Sequence, residues 1–250
     1  MQDGKKIWVG SEILHVRAVA FDKDGTLFDS VKFWSYIDEL RKSEFTRLAG
    51  PEDGDEWSAM MGFTQPDHVD YTGVLAVATT LEEIILTAGL LYRLKGWSWF
   101  ECKQKAQQIF ANADRQLQLE HAFHSTDNVP DIFHNLHSQG ISVGIMTSDA
   151  YERTSRLMQM LKVDHVLDFV ITPEQVSKGK PDPEMVHKAC AMLKISPGEL
   201  AIVGDSVADV QMAKAAGSIG IGLITYEGSE KDLSPHADFL IHSLSEIQVK

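Results

Sequence analysis

Short apolar runs alternate with longer amphipathic stretches over the second half of the chain. Runs of β-branched and other apolar residues fall at Ile141–Met146, Phe169–Ile171, Ala201–Val203, Ile219–Ile224 and Phe239–Ile241, each the length of a buried strand. Between them, residues 129–139, 150–162, 182–194 and 206–216 carry apolar positions at helical spacing. Gly140 and Gly217 stand where two of these helices should stop, as expected for left-handed C-terminal caps. Strand and helix in strict alternation predict a doubly wound, mostly parallel α/β sheet with helices on both faces. An earlier apolar run, residues 13–21, belongs to the same sheet by its texture.

Residues 29–121 have another texture, with helical spacing and almost no β-rich run. Ser98-Trp-Phe-Glu101 reads as a capping box that opens a helix just after Gly96, which closes the one before. Thr80-Leu-Glu-Glu83 is a second start of this kind, and Pro51–Asp55 is a loop. The economical parse is an α/β core of residues 1–28 and 122–250, with a helical cap domain, 29–121, inserted after the first core strand. Trp97, Trp99 and Phe100 are expected to start a helix and pack the interior of the insert.

The 250 residues suffice for one large or two modest domains, and a net charge of −13 argues against nucleic-acid or anionic-membrane surfaces. The two cysteines, Cys102 and Cys190, have no metal-ligand spacing and read as reduced thiols. The amino terminus lacks an apolar signal region, and no apolar stretch is long enough to cross a bilayer. The expected location is cytoplasmic.

Ligands of parallel sheets collect at the carboxyl ends of the strands, and the chemistry-bearing residues of this chain cluster there. The run ending at Phe21 delivers Asp22 and Asp24, followed at once by Gly25 and Thr26. Two carboxylates so close repel each other unless a divalent cation offsets the charge. Ile141–Met146 delivers Thr147 and Ser148, and Lys180 precedes Pro181 just ahead of a helix start. The run Ala201–Val203 leads into Gly204 and Asp205, with Asp209 four residues on. His121/His124 and His134/His137 have metal-compatible spacing, but no acid or cysteine cluster supports them, and they read as helix-surface residues.

In order along the chain, Asp-Lys-Asp-Gly-Thr-Leu-Phe-Asp-Ser, Thr147, Lys180-Pro-Asp-Pro-Glu and Gly-Asp-Ser-Val-Ala-Asp resemble the four motifs of the haloacid dehalogenase superfamily. The likeness is to its phosphatase branch, close to phosphoglycolate phosphatases. It implies an HAD-like Rossmannoid core and a Mg²⁺-dependent hydrolysis of a small phosphorylated metabolite. Asp22 would be the nucleophile and Asp24 the general acid and base. Thr147 and Lys180 would hold the phosphoryl group. The metal would take Asp22, the main-chain carbonyl of Asp24, and Asp205, with Asp209 either completing the acidic site or orienting Lys180. Ser148 could serve the phosphate or merely the turn, and Lys178 reads as a solvated loop charge. Lys23, where relatives often carry an apolar residue, is expected by strand alternation to point away from both aspartates.

Asp24 also separates chemistries within the superfamily. Chloride leaves without a proton, so an acid there argues against dehalogenation. A phosphosugar mutase keeps both aspartates and is the main enzymatic alternative, while a non-catalytic regulatory module would be expected to have lost a motif residue.

Overall fold

A computed structural model describes residues 4–65, 68–118, 123, 125–126 and 128–249. The chain divides into two compact units, Met1–Asp29 with Ser125–Lys250, and Ser30–His124.

The first unit opens with β1 (Lys5–Val9), β2 (Glu12–Val16) and β3 (Ala18–Phe21). The run at 13–21 is therefore not one strand. It breaks at Arg17, whose N–H donates to Glu199 O at 2.8 Å and whose carbonyl accepts from Ser142 N at 2.9 Å. These bonds turn the chain from one sheet into another. β1 and β2 pair antiparallel, and β1 also pairs with β11 (Ile247–Gln248), giving a three-stranded sheet in the order β11-β1-β2.

The main sheet contains β3, β6 (Ser142–Met146), β7 (Phe169–Ile171), β8 (Leu200–Gly204), β9 (Ile219–Leu223) and β10 (Phe239–Ile241). Its order is β10-β9-β8-β3-β6-β7, parallel throughout. This is the doubly wound sheet that the alternation predicts. The connecting helices, Val129–Ser138, Tyr151–Met160, Glu184–Leu193 and Val207–Ala216, fall within a residue or two of their sequence-based bounds. Gly140 and Gly217 have φ of 73° and 76° and end two of the helical stretches in the left-handed region, where a side chain is disfavoured.

β3 is central, and every one of its residues is buried. Ala18 and Ala20 face a cluster with Met146, Met185, Ile202 and Met212. Burying such side chains stabilises the sheet by about 1.5–3 kcal/mol each. Register places Phe21 opposite Ile145 on β6 and Val203 on β8. The residues just past these three strands therefore emerge side by side at one rim.

The second unit is helical, with helices Ser30–Ala49, Gly54–Met61, Val74–Val77, Thr80–Lys95 and Trp99–Gln116. The loop expected over Pro51–Asp55 is instead a 3₁₀ turn, Pro51–Asp53, that runs directly into the next helix, because Gly54 takes right-handed helical angles and Pro51 suits a first helical position. A short ribbon, β4 (Phe63–Gln65) with β5 (His68–Val69), is an addition that helical spacing did not predict. Gly96 caps one helix with φ 67°, and Ser98 Oγ accepts from Glu101 N at 3.2 Å to open the next. The capping box near residue 80 sits one position earlier than its motif suggests, on Thr79 and Glu82. Phe45, Trp57, Leu91, Cys102, Ile109 and Phe110 form the core, with Trp97 packed against it. Trp99 and Phe100 are 43% and 67% exposed and do not join it. Both lie in the helix's first turn on its solvent side, whereas Cys102 and Ala106 take the inward positions.

Arg41, buried under the same helices, donates from Nη1 to Glu83 Oε1 at 2.8 Å and lies over the Phe110 ring at 4.2 Å. No helix among the described residues is long and apolar enough to cross a membrane.

Candidate active site

Asp22 follows β3 directly, and its N–H donates to Val203 O at 2.8 Å, continuing the ladder one residue past the strand. Its carboxylate is buried and meets the Lys180 ammonium at 2.5 Å from Oδ1. The same ammonium lies 2.5 Å from Asp209 Oδ1. Asp22, Asp205 and Asp209 each offer a carboxylate oxygen within 4.8 Å of the others, forming a three-acid group among the described residues.

Local bonds hold each member. Lys180 sits on a loop tied by Glu184, whose two carboxylate oxygens accept from Ser177 N at 2.8 Å and Lys178 N at 2.9 Å. Asp209 closes a capping box with Ser206: its Oδ2 accepts from Ser206 Oγ at 2.6 Å and from Ser206 N at 3.1 Å. Asp209 therefore both caps its helix and pairs with Lys180. Asp205 Oδ1 accepts from Thr26 Oγ1 at 3.2 Å.

Gly25 is what lets the turn after β3 approach Asp205. Its φ is +83°, and a Cβ there would overlap the Asp205 carboxylate. Gly25→Ala should therefore displace Asp205 and destabilise the turn by about 1–3 kcal/mol. Urea unfolding would check this, since an unchanged midpoint would contradict the close approach.

Electrostatics mark the cluster as costly. Burial, opposed by Lys180 and reinforced by Asp209 and Asp24, pushes the Asp22 carboxyl up to about 7. Burial and the charges of Asp22 and Asp209 also raise Asp205 well above the carboxylate range. Lys180, despite burial, is raised by Asp209 and Asp22. Once ionised, these three acids facing one ammonium carry a surplus of negative charge. An all-oxygen donor set with that surplus fits a hard divalent cation.

Asp24 stands apart from this group. Its Oδ1 accepts from Lys23 Nζ at 2.5 Å, and Lys23, wholly buried, also pairs with Asp149 Oδ2 at 2.9 Å. The expectation that Lys23 points away from Asp24 is thus corrected: strand pairing ends at Asp22, and side-chain alternation does not extend beyond it. Burial is outweighed by Asp149 and then Asp24 in raising Lys23.

Thr147 directly follows β6, with its N–H donating to Ile171 O at 3.1 Å, and its Oγ1 accepts from Asp149 N at 3.1 Å. It is buried, while Ser148 is partly exposed. Lys178 is exposed, with Asp182 at 3.7 Å. His134 and His137 are exposed, and the His134 ring lies 5.3 Å from His165. His121 and His124 lie outside the described residues.

Asp149 and Arg153 were missed by sequence reading. The available signal was an acid two residues after a strand-end threonine and an arginine one turn further along the following helix. Arg153 Nε donates to Asp149 Oδ1 at 2.7 Å and to Oδ2 at 2.8 Å, and its Nη2 also reaches Oδ1. Burial would raise Asp149, but Lys23 and Arg153 hold it below the usual carboxylate range.

The family model described as haloacid dehalogenase-like hydrolase matches residues 16–217. A validoxylamine A 7'-phosphate phosphatase from Streptomyces hygroscopicus subsp. limoneus is 31% identical over 124 residues, 50% of this chain and 57% of that protein. The chain thus spans little more than half of that relative's length. A beta-phosphoglucomutase from Bacillus subtilis is 23% identical over 216 residues, 83% of each chain. A solved haloacid dehalogenase-like hydrolase from Bacteroides fragilis superposes with TM-score 0.66 at 21% identity, covering 92% of this chain and 99% of that one. At that identity the structural likeness shows the fold.

Proposed function

Because the chain belongs to the haloacid dehalogenase-like hydrolases, we propose that it is a Mg²⁺-dependent phosphatase that hydrolyses a small phosphate ester. The observation that carries this reading is the buried Asp22 carboxylate, paired with Lys180 inside a three-acid group at the central strand's end.

A carboxylate oxygen of Asp22 attacks phosphorus, and the ester P–O bond breaks to give an aspartyl phosphate. Asp24 gives its proton to the departing oxygen. Water then attacks the same phosphorus, Asp24 takes its proton, and the P–O bond to Asp22 breaks, releasing inorganic phosphate and restoring the carboxylate. Lys180 and the Thr147 hydroxyl hold the phosphoryl oxygens as charge shifts among them. Asp22, Asp205 and Asp209, with the Asp24 main-chain carbonyl, would hold the metal, which supplies neutralisation of the phosphoryl charge. The helical unit Ser30–His124 takes the part of the cap in this reading. The reaction belongs in the cytoplasm, where Cys102 and Cys190, both buried and free, stay reduced.

A panel of phosphorylated metabolites tests the proposal. Phosphate release should require Mg²⁺ and stop on adding EDTA; release that EDTA stimulates, or none from any ester, would sink it. The alignment with the mutase over 83% of both chains favours a second reading. A hexose 1-phosphate separates the two. Hydrolysis gives free phosphate, whereas a mutase gives the 6-phosphate with little free phosphate and needs a bisphosphate primer.

A further inference from the structure

Lys23 is a fully buried ammonium in a position next to the proposed acid and base. Its Nζ lies 2.5 Å from Asp24 Oδ1 and 2.9 Å from Asp149 Oδ2. Asp149 is clamped on its other side by the Arg153 guanidinium, and its Oδ1 accepts from Ala150 N at 2.7 Å. Charges alternate along the chain Asp24, Lys23, Asp149, Arg153, and both inner members are buried. Stability alone does not call for such an arrangement. A packed apolar residue would avoid the desolvation of a lysine, and replacing buried ion pairs by apolar groups is often neutral or stabilising. What the chain of charges does accomplish is to fix one oxygen of Asp24.

We propose that Lys23, backed by Asp149 and Arg153, is a positioning residue for Asp24: it holds Oδ1 and leaves Oδ2 to exchange the proton with the ester oxygen. The assignment rests on the phosphatase reading above. Asp149 supplies the counter-charge that keeps Lys23 from swinging toward the Asp22 group, and Arg153 fixes Asp149 through both its oxygens.

The role predicts a dependence on the leaving group. p-Nitrophenolate departs without a proton, whereas the alkoxide of glycerol phosphate must be protonated as it leaves. For Lys23→Met, kcat/KM toward glycerol phosphate should fall about 100-fold, the scale of general acid catalysis. Toward p-nitrophenyl phosphate it should fall less than about threefold. Asp149→Asn should show the same asymmetry, weakened to roughly tenfold, since Lys23 is then held from one side only. Should Lys23→Met fail to fold, Lys23→Met/Asp149→Asn removes the leftover acid and takes over the measurement. Equal losses toward both esters, or none toward either, would overturn the positioning role while leaving the phosphatase reading intact. If glycerol phosphate is not cleaved, the panel metabolite that the native protein hydrolyses best takes its place as the alkyl ester, and a native protein that releases phosphate from no ester at all would overturn both.

Discussion

Phosphate release by Asp22→Asn should drop below about a hundredth of the native turnover while the protein stays folded. The carboxamide matches the carboxylate in shape, but its oxygen is a poor nucleophile. Folding should not suffer, because Lys180 keeps its second partner, Asp209, at 2.5 Å. No buried cation is left alone. Burial is the main reason Asp205 stands well above its ordinary range, and losing the Asp22 charge removes the repulsion that adds to it. A thermal melt should therefore show an unchanged or raised midpoint near neutral pH. Turnover above a hundredth of native, in protein with an intact melt, would contradict Asp22 as nucleophile.

Lys180→Met should have the opposite profile, damaging stability as well as turnover. The ammonium is buried between Asp22 and Asp209, and removing one partner of a buried pair costs about 3–5 kcal/mol. The pH dependence follows from the acids left behind. Asp22 has a folded value of about 7 against an ordinary 3.8, and losing Lys180 removes a charge that lowers it. A group raised on folding contributes stability that is complete below its unfolded value and is lost as pH rises through its folded value. Urea unfolding in EDTA should therefore show a modest deficit at pH 5 and a large one at pH 8. Adding Mg²⁺ at pH 8 should recover much of it, since a dication replaces the missing charge. A deficit that is the same at both pH values and indifferent to Mg²⁺ would contradict the shared neutralisation.

Strand-end logic makes much of this arrangement legible without coordinates. Phe21, Ile145 and Val203 lie in register, so residues just past three separate apolar runs come to one rim. Asp22, Lys180, Asp205 and Asp209 meet there. What escapes sequence reading depends on partners remote in the chain. β1 is defined by β2 and by Trp8↔Gln248 pairing at the far end of the numbering, which no local pattern announces. The merged reading of 13–21 fails for a related reason. The switch of sheets at Arg17 is made by bonds to Glu199 and Ser142, not by a glycine or proline. Lys23 illustrates a limit of periodicity itself, which holds only while the ladder lasts. Asp149 was passed over because a single acid acquires meaning from Lys23 and Arg153 around it.

The points where the chain leaves and re-enters the α/β unit are bonded to each other. Phe28 bridges to Asp24 on one side and to Ser125 on the other, and Thr126 N donates to Leu27 O at 2.9 Å. Everything between is a closed loop whose two feet are pinned in the core. The entropic cost of closing such a loop rises only with the logarithm of its length, by about 0.6 kcal/mol for each doubling. The closure cost thus changes little with what the loop holds, whether a short turn or a helical unit. Such a junction permits lengthening, shortening or wholesale exchange of the insert over evolutionary time, with the rim carboxylates left undisturbed.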